Sequence, residues 1–340
     1  MGRAPLTKHD VRAISRSTVM DKVGGVFAPL SFLLVMVIAL SIVARDQGFM
    51  TRMNWNTIFQ STAVVAVLAL GETAVIIAGH IDLSVGRILA LCSVMAAWLM
   101  VGRGWGVAPA VAASCLTGAA CGAVSGLLTS YGRMPAFIAT LGTMGIANGL
   151  ALIVSGDANV SGTAPGFEAF AMGQLFSRTQ DAGIPIPLVL MVGAAVGVHL
   201  LLAKSAWGRS VYAVGGNKDA ARLSGISLNR TTITVFTLCG LLAGVAAVVH
   251  VARTGGGQPT AGVGLELQAI AATVIGGTSL SGGAGGILGT IIGAFLMAVI
   301  QNGCDLKGLH PHWQVIIIGG VIWLAALYDG IRRRRTEPGS

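Results

Sequence analysis

Phe27-Ala-Pro-Leu-Ser-Phe-Leu-Leu-Val-Met-Val-Ile-Ala-Leu-Ser-Ile-Val-Ala44 carries no charge, and none falls anywhere between Lys22 and Arg45. A hydrocarbon core about 30 Å thick is crossed by roughly 20 apolar helical residues, and in lipid only helices or closed barrels satisfy their backbone groups. The run is too long for a barrel strand and predicts a first span near 24–44. Further apolar segments predict spans near 58–79, 83–101, 106–130, 135–155, 184–204, 231–252, 265–280, 286–303 and 312–331. The fold class expected is an all-α polytopic integral membrane protein of about ten transmembrane helices. A single membrane domain over 24–331 is flanked by a basic segment, 1–23, and a basic tail, 332–340.

Composition agrees: 54% of the 340 residues are hydrophobic, 10% are charged, and the mean hydropathy of +0.78 is foreign to a soluble domain. The net charge of +9 follows topology, because the basic residues sit between apolar segments and form no aromatic-interleaved face for nucleic acid. An even number of spans puts both termini on one side. With that side cytoplasmic, sixteen of the 22 Lys and Arg lie inside, leaving Arg45, Arg52, Arg103, Arg178, Arg253 and Lys307 outside. Cys92, Cys115, Cys121, Cys239 and Cys304 have no CxxC spacing, so neither a disulfide framework nor a metal site is expected. The basic N-terminus resembles a signal n-region, yet the apolar stretch after it runs on without a small-residue cleavage site and reads as a retained span.

Two hydrophilic segments stand out. Gly156 to Gly183 is expected outside, as an exposed loop or as a cap for an extracytoplasmic partner. Lys204 to Arg230 is the largest internal cytoplasmic loop. Within it Gly215-Gly216 reads as a turn, Asn217 as an N-cap, Asp219 as a first-turn acid and Gly225 as a helix stop. The helix of about two turns that results presents Ala220, Ala221 and Leu223 between Lys218 and Arg222. It either docks in a groove of a cytoplasmic partner or packs on its own bundle.

Ala78-Gly-His-Ile-Asp-Leu-Ser-Val-Gly86 breaks the apolar pattern between the second and third spans. Asp82 is placed to cap the Val85 and Gly86 amides, and Glu72 lies two turns back in an apolar helix, where an ionisable group costs roughly 2.5–3.5 kcal/mol. His80 adds a titratable donor. A second break, Ile275-Gly-Gly-Thr-Ser-Leu-Ser-Gly-Gly-Ala-Gly-Gly286, aligns Leu280 and Ser281 with Leu83 and Ser84. It lacks the Lys of a phosphate-binding loop, so no nucleotide site or other cofactor is expected in this chain. Gly118, Gly122 and Gly126, like Gly285, Gly289 and Gly293, repeat at the spacing of close helix contacts. Polar residues within or beside the spans are read as a solute path or as glue between helices: Glu72, His80, Asp82, Ser84, Asn148, Glu266, Gln268, Ser279, Ser281, Gln301, Asn302 and Gln314.

Gly79-His-Ile-Asp-Leu-Ser-Val-Gly86, Tyr212-Ala-Val-Gly-Gly-Asn217 with Ala221-Arg-Leu-Ser-Gly-Ile226, Gln258-Pro-Thr-Ala-Gly262 and Gly276-Gly-Thr-Ser-Leu-Ser-Gly-Gly283 together resemble the membrane permeases of ribose-type ABC sugar importers. The resemblance runs from about Asn54 to Asp329. It implies a permease in the bacterial inner membrane that passes a monosaccharide or polyol. It also implies ATP-binding cassette subunits, a periplasmic binding protein and a second permease copy, the same or different, in surrounding lipid. Gly215, Gly216, Asn217, Ala220, Ala221, Arg222, Leu223 and Gly225 become the coupling segment, and no enzymatic activity is expected of the chain itself. Branched-chain amino acid permeases are more distant relatives. The sequence departs from the family at His80, where Gly is common, at Gln268, where an acid is usual, and at Glu72, an unusual acid. The competing expectation is a proton-coupled carrier relaying through Glu72, His80 and Asp82. An intramembrane hydrolase is disfavoured because no His accompanies Ser279 or Ser281.

Overall fold

A computed structural model describes residues 27–175 and 183–336. The predicted basic segment 1–23, Arg178 and the last residues of the tail, 337–340, lie outside the described residues. Thirteen helices follow in order among them. They are α1 (Phe27–Val43), α2 (Arg52–Ile77), α3 (Val85–Ala97) continued by a π-helical turn (Trp98–Gly102), α4 (Val107–Ser130), α5 (Ala136–Ser155), α6 (Phe167–Met172) and α7 (Ile186–Lys204). Then come α8 (Ala206–Gly216), α9 (Lys218–Leu223), α10 (Leu228–Thr254), α11 (Leu265–Ile275), α12 (Ile287–Leu306) and α13 (Pro311–Thr336). The strands are two-residue pieces: β1 (Val160–Ser161) pairs antiparallel with β4 (Gly256–Gly257), and β2 (Gln174–Leu175) with β3 (Ile184–Pro185).

Seven of the described helices, α2, α3 with its π turn, α4, α5, α7, α10 and α12, are long and apolar enough to cross a membrane. Their burial sorts them. Helix α2 is apolar around its whole circumference and buried along nearly all its length from Thr62, so it forms the axis of the bundle. Helices α3, α10 and α12 pack about that centre, whereas α4, α5 and α7 turn Leu116, Ile146, Ile153 and Val196 outward, as lipid-facing helices do.

Where lipid supplies no hydrophobic drive, close packing needs small residues. A Cβ on Gly118 would stand 2.2 Å from the Gly240 carbonyl oxygen, and one on Gly122 2.1 Å from that of Phe236, so α4 and α10 touch backbone to backbone. The same holds between α11 and α12, where a Cβ on Gly293 would meet the Ala272 oxygen at 2.0 Å. Both glycine repeats read from the sequence therefore lie on helix contacts, although Gly285 itself precedes α12.

The expected span over 265–280 is corrected. Helix α11 has 11 residues, about 16 Å at 1.5 Å per residue and half a membrane crossing. The chain before it is irregular, turning through Gly262 and Gly264 at positive φ. This segment is held by neighbours: β4 joins β1, and Gly262 lies against the Gly86 backbone at the start of α3. Irregular backbone at membrane depth is tolerated where protein surrounds it.

Candidate functional site

The first break, 78–84, folds back against α2. Glu72 is fully buried and its Oε1 accepts the Asp82 N–H at 3.0 Å, which ties the returning segment to the helix it left. Asp82, also fully buried, does not cap Val85 and Gly86 as expected. Its Oδ1 accepts the Ser84 N–H (2.8 Å) and the Ser84 hydroxyl, a local turn that brings α3 to its start one residue later. Glu72, Asp82 and Ser84 thus form one knot, and Glu72 points to backbone and to Cys239 Sγ (3.9 Å), not to an open cavity.

At the end of the bundle predicted to be cytoplasmic, three segments meet on glycine. The Gly283 N–H donates to the Ile77 carbonyl (2.8 Å), which joins the second break to the end of α2. Gly215 sits between them: a Cβ there would lie 1.7 Å from the Ile77 oxygen and 2.6 Å from the Gly283 nitrogen. Gly215 and Gly216 close α8 instead of forming the predicted turn, since the contact demands a residue without a side chain inside the helix end. The Tyr212 hydroxyl adds a bond to the Gly285 carbonyl (2.9 Å). Ser279 and Ser281 belong to this second break, where the Ser279 N–H donates to Ala284.

From that junction α9 projects. Asn217 caps it, accepting the Ala220 N–H at 2.9 Å. Asp219 lies in the first turn, and Gly225 ends the segment at φ +79°. Of the three apolar positions, Ala221 is buried against the bundle, while Ala220 is exposed and Leu223 stands 89% exposed between the exposed Lys218 and Arg222. His80 lies beside this region, its ring against Phe236. Burial, and secondarily the Lys218 charge, pull its imidazole down from 6.5 to about 4.

Toward the opposite end lies a cavity of about 250 Å³ between α2, the entry to α11, α10 and α12. Two residues proposed from sequence, Gln268 and Asn302, line it, as does Gln301. Asn302 is engaged, exchanging amide hydrogen bonds with Asn54 (2.7 and 3.0 Å). Gln268 is 7% exposed and its amide oxygen has no partner. Sequence reasoning missed Thr57, Ser61, His250, Arg253 and Asp305, which also line the cavity. Arg253 and Asp305 look like loop-edge charges in a linear reading, and their convergence needs the tertiary fold. The signal available was His250 one turn before Arg253 in an apolar span. Glu266 stands apart from the cavity lining, against Gly86, and Asn148 is half-buried on the peripheral α5.

A family model described as branched-chain amino acid transport system / permease component matches residues 54–326. The ribose import permease of Escherichia coli K12 is 42% identical over 299 residues, 87% of this chain and 92% of that protein. The ribose import permease of Bacillus subtilis 168 is 41% identical over 313 residues, 92% of this chain and 93% of its own length. The D-allose transport system permease of Escherichia coli K12 is 36% identical over 301 residues, 88% and 90% of the two chains. No solved structure gives a significant match.

Proposed function

The chain belongs to the branched-chain amino acid transport system / permease component family, and from that premise we propose that it is the transmembrane permease of an ABC importer for a monosaccharide or related polyol. It is a multi-pass protein of the bacterial inner membrane. ATP hydrolysis belongs to a separate cassette subunit and solute delivery to a periplasmic binding protein. A second permease copy, identical or paralogous, completes the pathway in lipid, with both termini in the cytoplasm.

The observation that carries this reading is the junction at Gly215. Helix α9 offers an exposed apolar tip at Leu223, while its base is in backbone contact with the end of α2 and with the second break. A cassette subunit that grips α9 differently in its two nucleotide states would bias the positions of both breaks. That difference in affinity is what coupling requires. Alternating access then opens the solute path, with Glu72, Asp82 and Ser84 setting the first break and Ser279 and Ser281 the second. The sugar-permease relatives give no support to a proton-coupled carrier, and Glu72 and Asp82 are occupied in holding backbone.

The test is co-purification of the tagged chain from native membranes, beside a variant in which Asn217 to Gly225 is replaced by a flexible linker. A cassette ATPase recovered with the wild type and lost with the variant is the expected result. Recovery of no ATPase with either protein, after crosslinking in gentle detergent, refutes the importer.

A further inference from the structure

The cavity bounded by α2, α10, α11 and α12 holds two polar groups whose hydrogen-bonding capacity is unspent. Gln268 is more than nine-tenths buried with its amide oxygen unpartnered, and the buried His250 Nε2 is likewise without a partner. A buried polar atom left without a partner costs folding free energy, and the two residues that carry such atoms line one cavity. Asn302, on the same wall, shows the contrast: its amide is spent on Asn54.

The charges around the space narrow the occupant. Arg253 and Asp305 both line it, one from α10 and one from α12, so the site is polar without a net charge. An anionic solute drawn to Arg253 would meet Asp305, and a cationic one the reverse. The volume of about 250 Å³ falls just below the roughly 300–1,000 Å³ typical of drug-sized ligands. Gln268 and His250 bring donor and acceptor chemistry to the wall of that space, the kind that adjacent hydroxyls need.

We infer that this cavity is a solute-binding site in which Gln268 and His250 read hydroxyl groups of a neutral monosaccharide while Arg253 and Asp305 together exclude charged sugars. The inference rests on the importer reading and adds the residues that set its specificity.

The experiment uses the full importer, chain with cassette ATPase and binding protein, in vesicles, with D-ribose and D-allose as probes and their phosphorylated and carboxylate forms as competitors. For each variant both uptake and binding-protein-stimulated ATPase are read. Gln268→Leu and His250→Phe each remove one partner from a buried hydroxyl, which costs a factor of roughly five to 150. Uptake is expected to fall by that range while stimulated ATPase stays within about twofold. Gln268→Asn, which keeps the amide, recovers part of the loss, and Asp305→Asn lets the carboxylate sugars compete. Wild-type uptake in both Gln268→Leu and His250→Phe overturns the site and leaves the importer standing. Wild-type vesicles whose ATPase responds to no binding protein and whose uptake ignores ATP overturn the importer reading itself. Gln268→Asn with the full loss of Gln268→Leu, at unchanged assembly, also refutes hydroxyl reading by the amide.

Discussion

Gly215 and Gly216 are neighbours in sequence and opposites in packing, and substituting each by alanine separates the two. A methyl on Gly215 would sit 1.7 Å from the Ile77 oxygen, roughly half the ~3.5 Å of an ordinary contact, and 2.6 Å from the Gly283 nitrogen. It would wedge apart the donor and acceptor of the Gly283–Ile77 hydrogen bond, and both are backbone, with no flexible side chain to yield. Overpacking costs about 1–3 kcal/mol, and separating a buried pair of polar groups costs about 1–3 kcal/mol more. Gly215→Ala is therefore expected to destabilise the junction by about 2–6 kcal/mol. At Gly216 an added Cβ meets nothing within 4 Å, and alanine in place of a helical glycine gains up to about 1 kcal/mol. Thermal melting in detergent, followed by size-exclusion chromatography, should place Gly215→Ala well below the wild type and Gly216→Ala at or above it. Uptake in vesicles should follow the same order. A Gly215→Ala protein that melts and transports like the wild type refutes the junction, as does equal damage from both substitutions.

Leu223→Glu is expected to leave the melting temperature unchanged and to release the cassette ATPase, because the side chain is exposed, whereas Ala221→Asp buries a charge and lowers the yield of folded protein. Pull-down beside melting distinguishes them. Folding holds His80 neutral, with its imidazole lowered from 6.5 to about 4, so its contribution to stability is intact above pH 6.5 and is lost as pH falls toward 4. At pH 5.5 the loss is about 1.4 kcal/mol, and His80→Gln should flatten that part of the melting profile between pH 7 and 5.5. Asn54→Leu and Asn302→Leu each orphan the other amide, at about 1–3 kcal/mol, so the double variant should cost clearly less than their sum in a melting cycle.

How much of this was written in the linear chain differs from element to element. The uncharged run 27–44, the glycine repeats and the capped helix after Asn217 follow from local chemistry, since apolar length, small-residue spacing and an N-cap act over one or two helical turns. The breaks at 78–84 and 276–286 were legible as interruptions for the same reason. What each break does was not: whether Asp82 caps a helix or a neighbouring turn depends on where Glu72 delivers its carboxylate from α2. Likewise the half-length of α11 is set by Gly262 packing on Gly86, a contact far away in sequence. Sequence alone determined that this is a helical membrane protein with a structured polar loop after Lys204, because lipid leaves the backbone few ways to satisfy itself. Tertiary structure alone decided that His250, Arg253, Gln268 and Asp305 share one cavity and that Gly215 touches both breaks, because such convergence is a property of helices packed side by side.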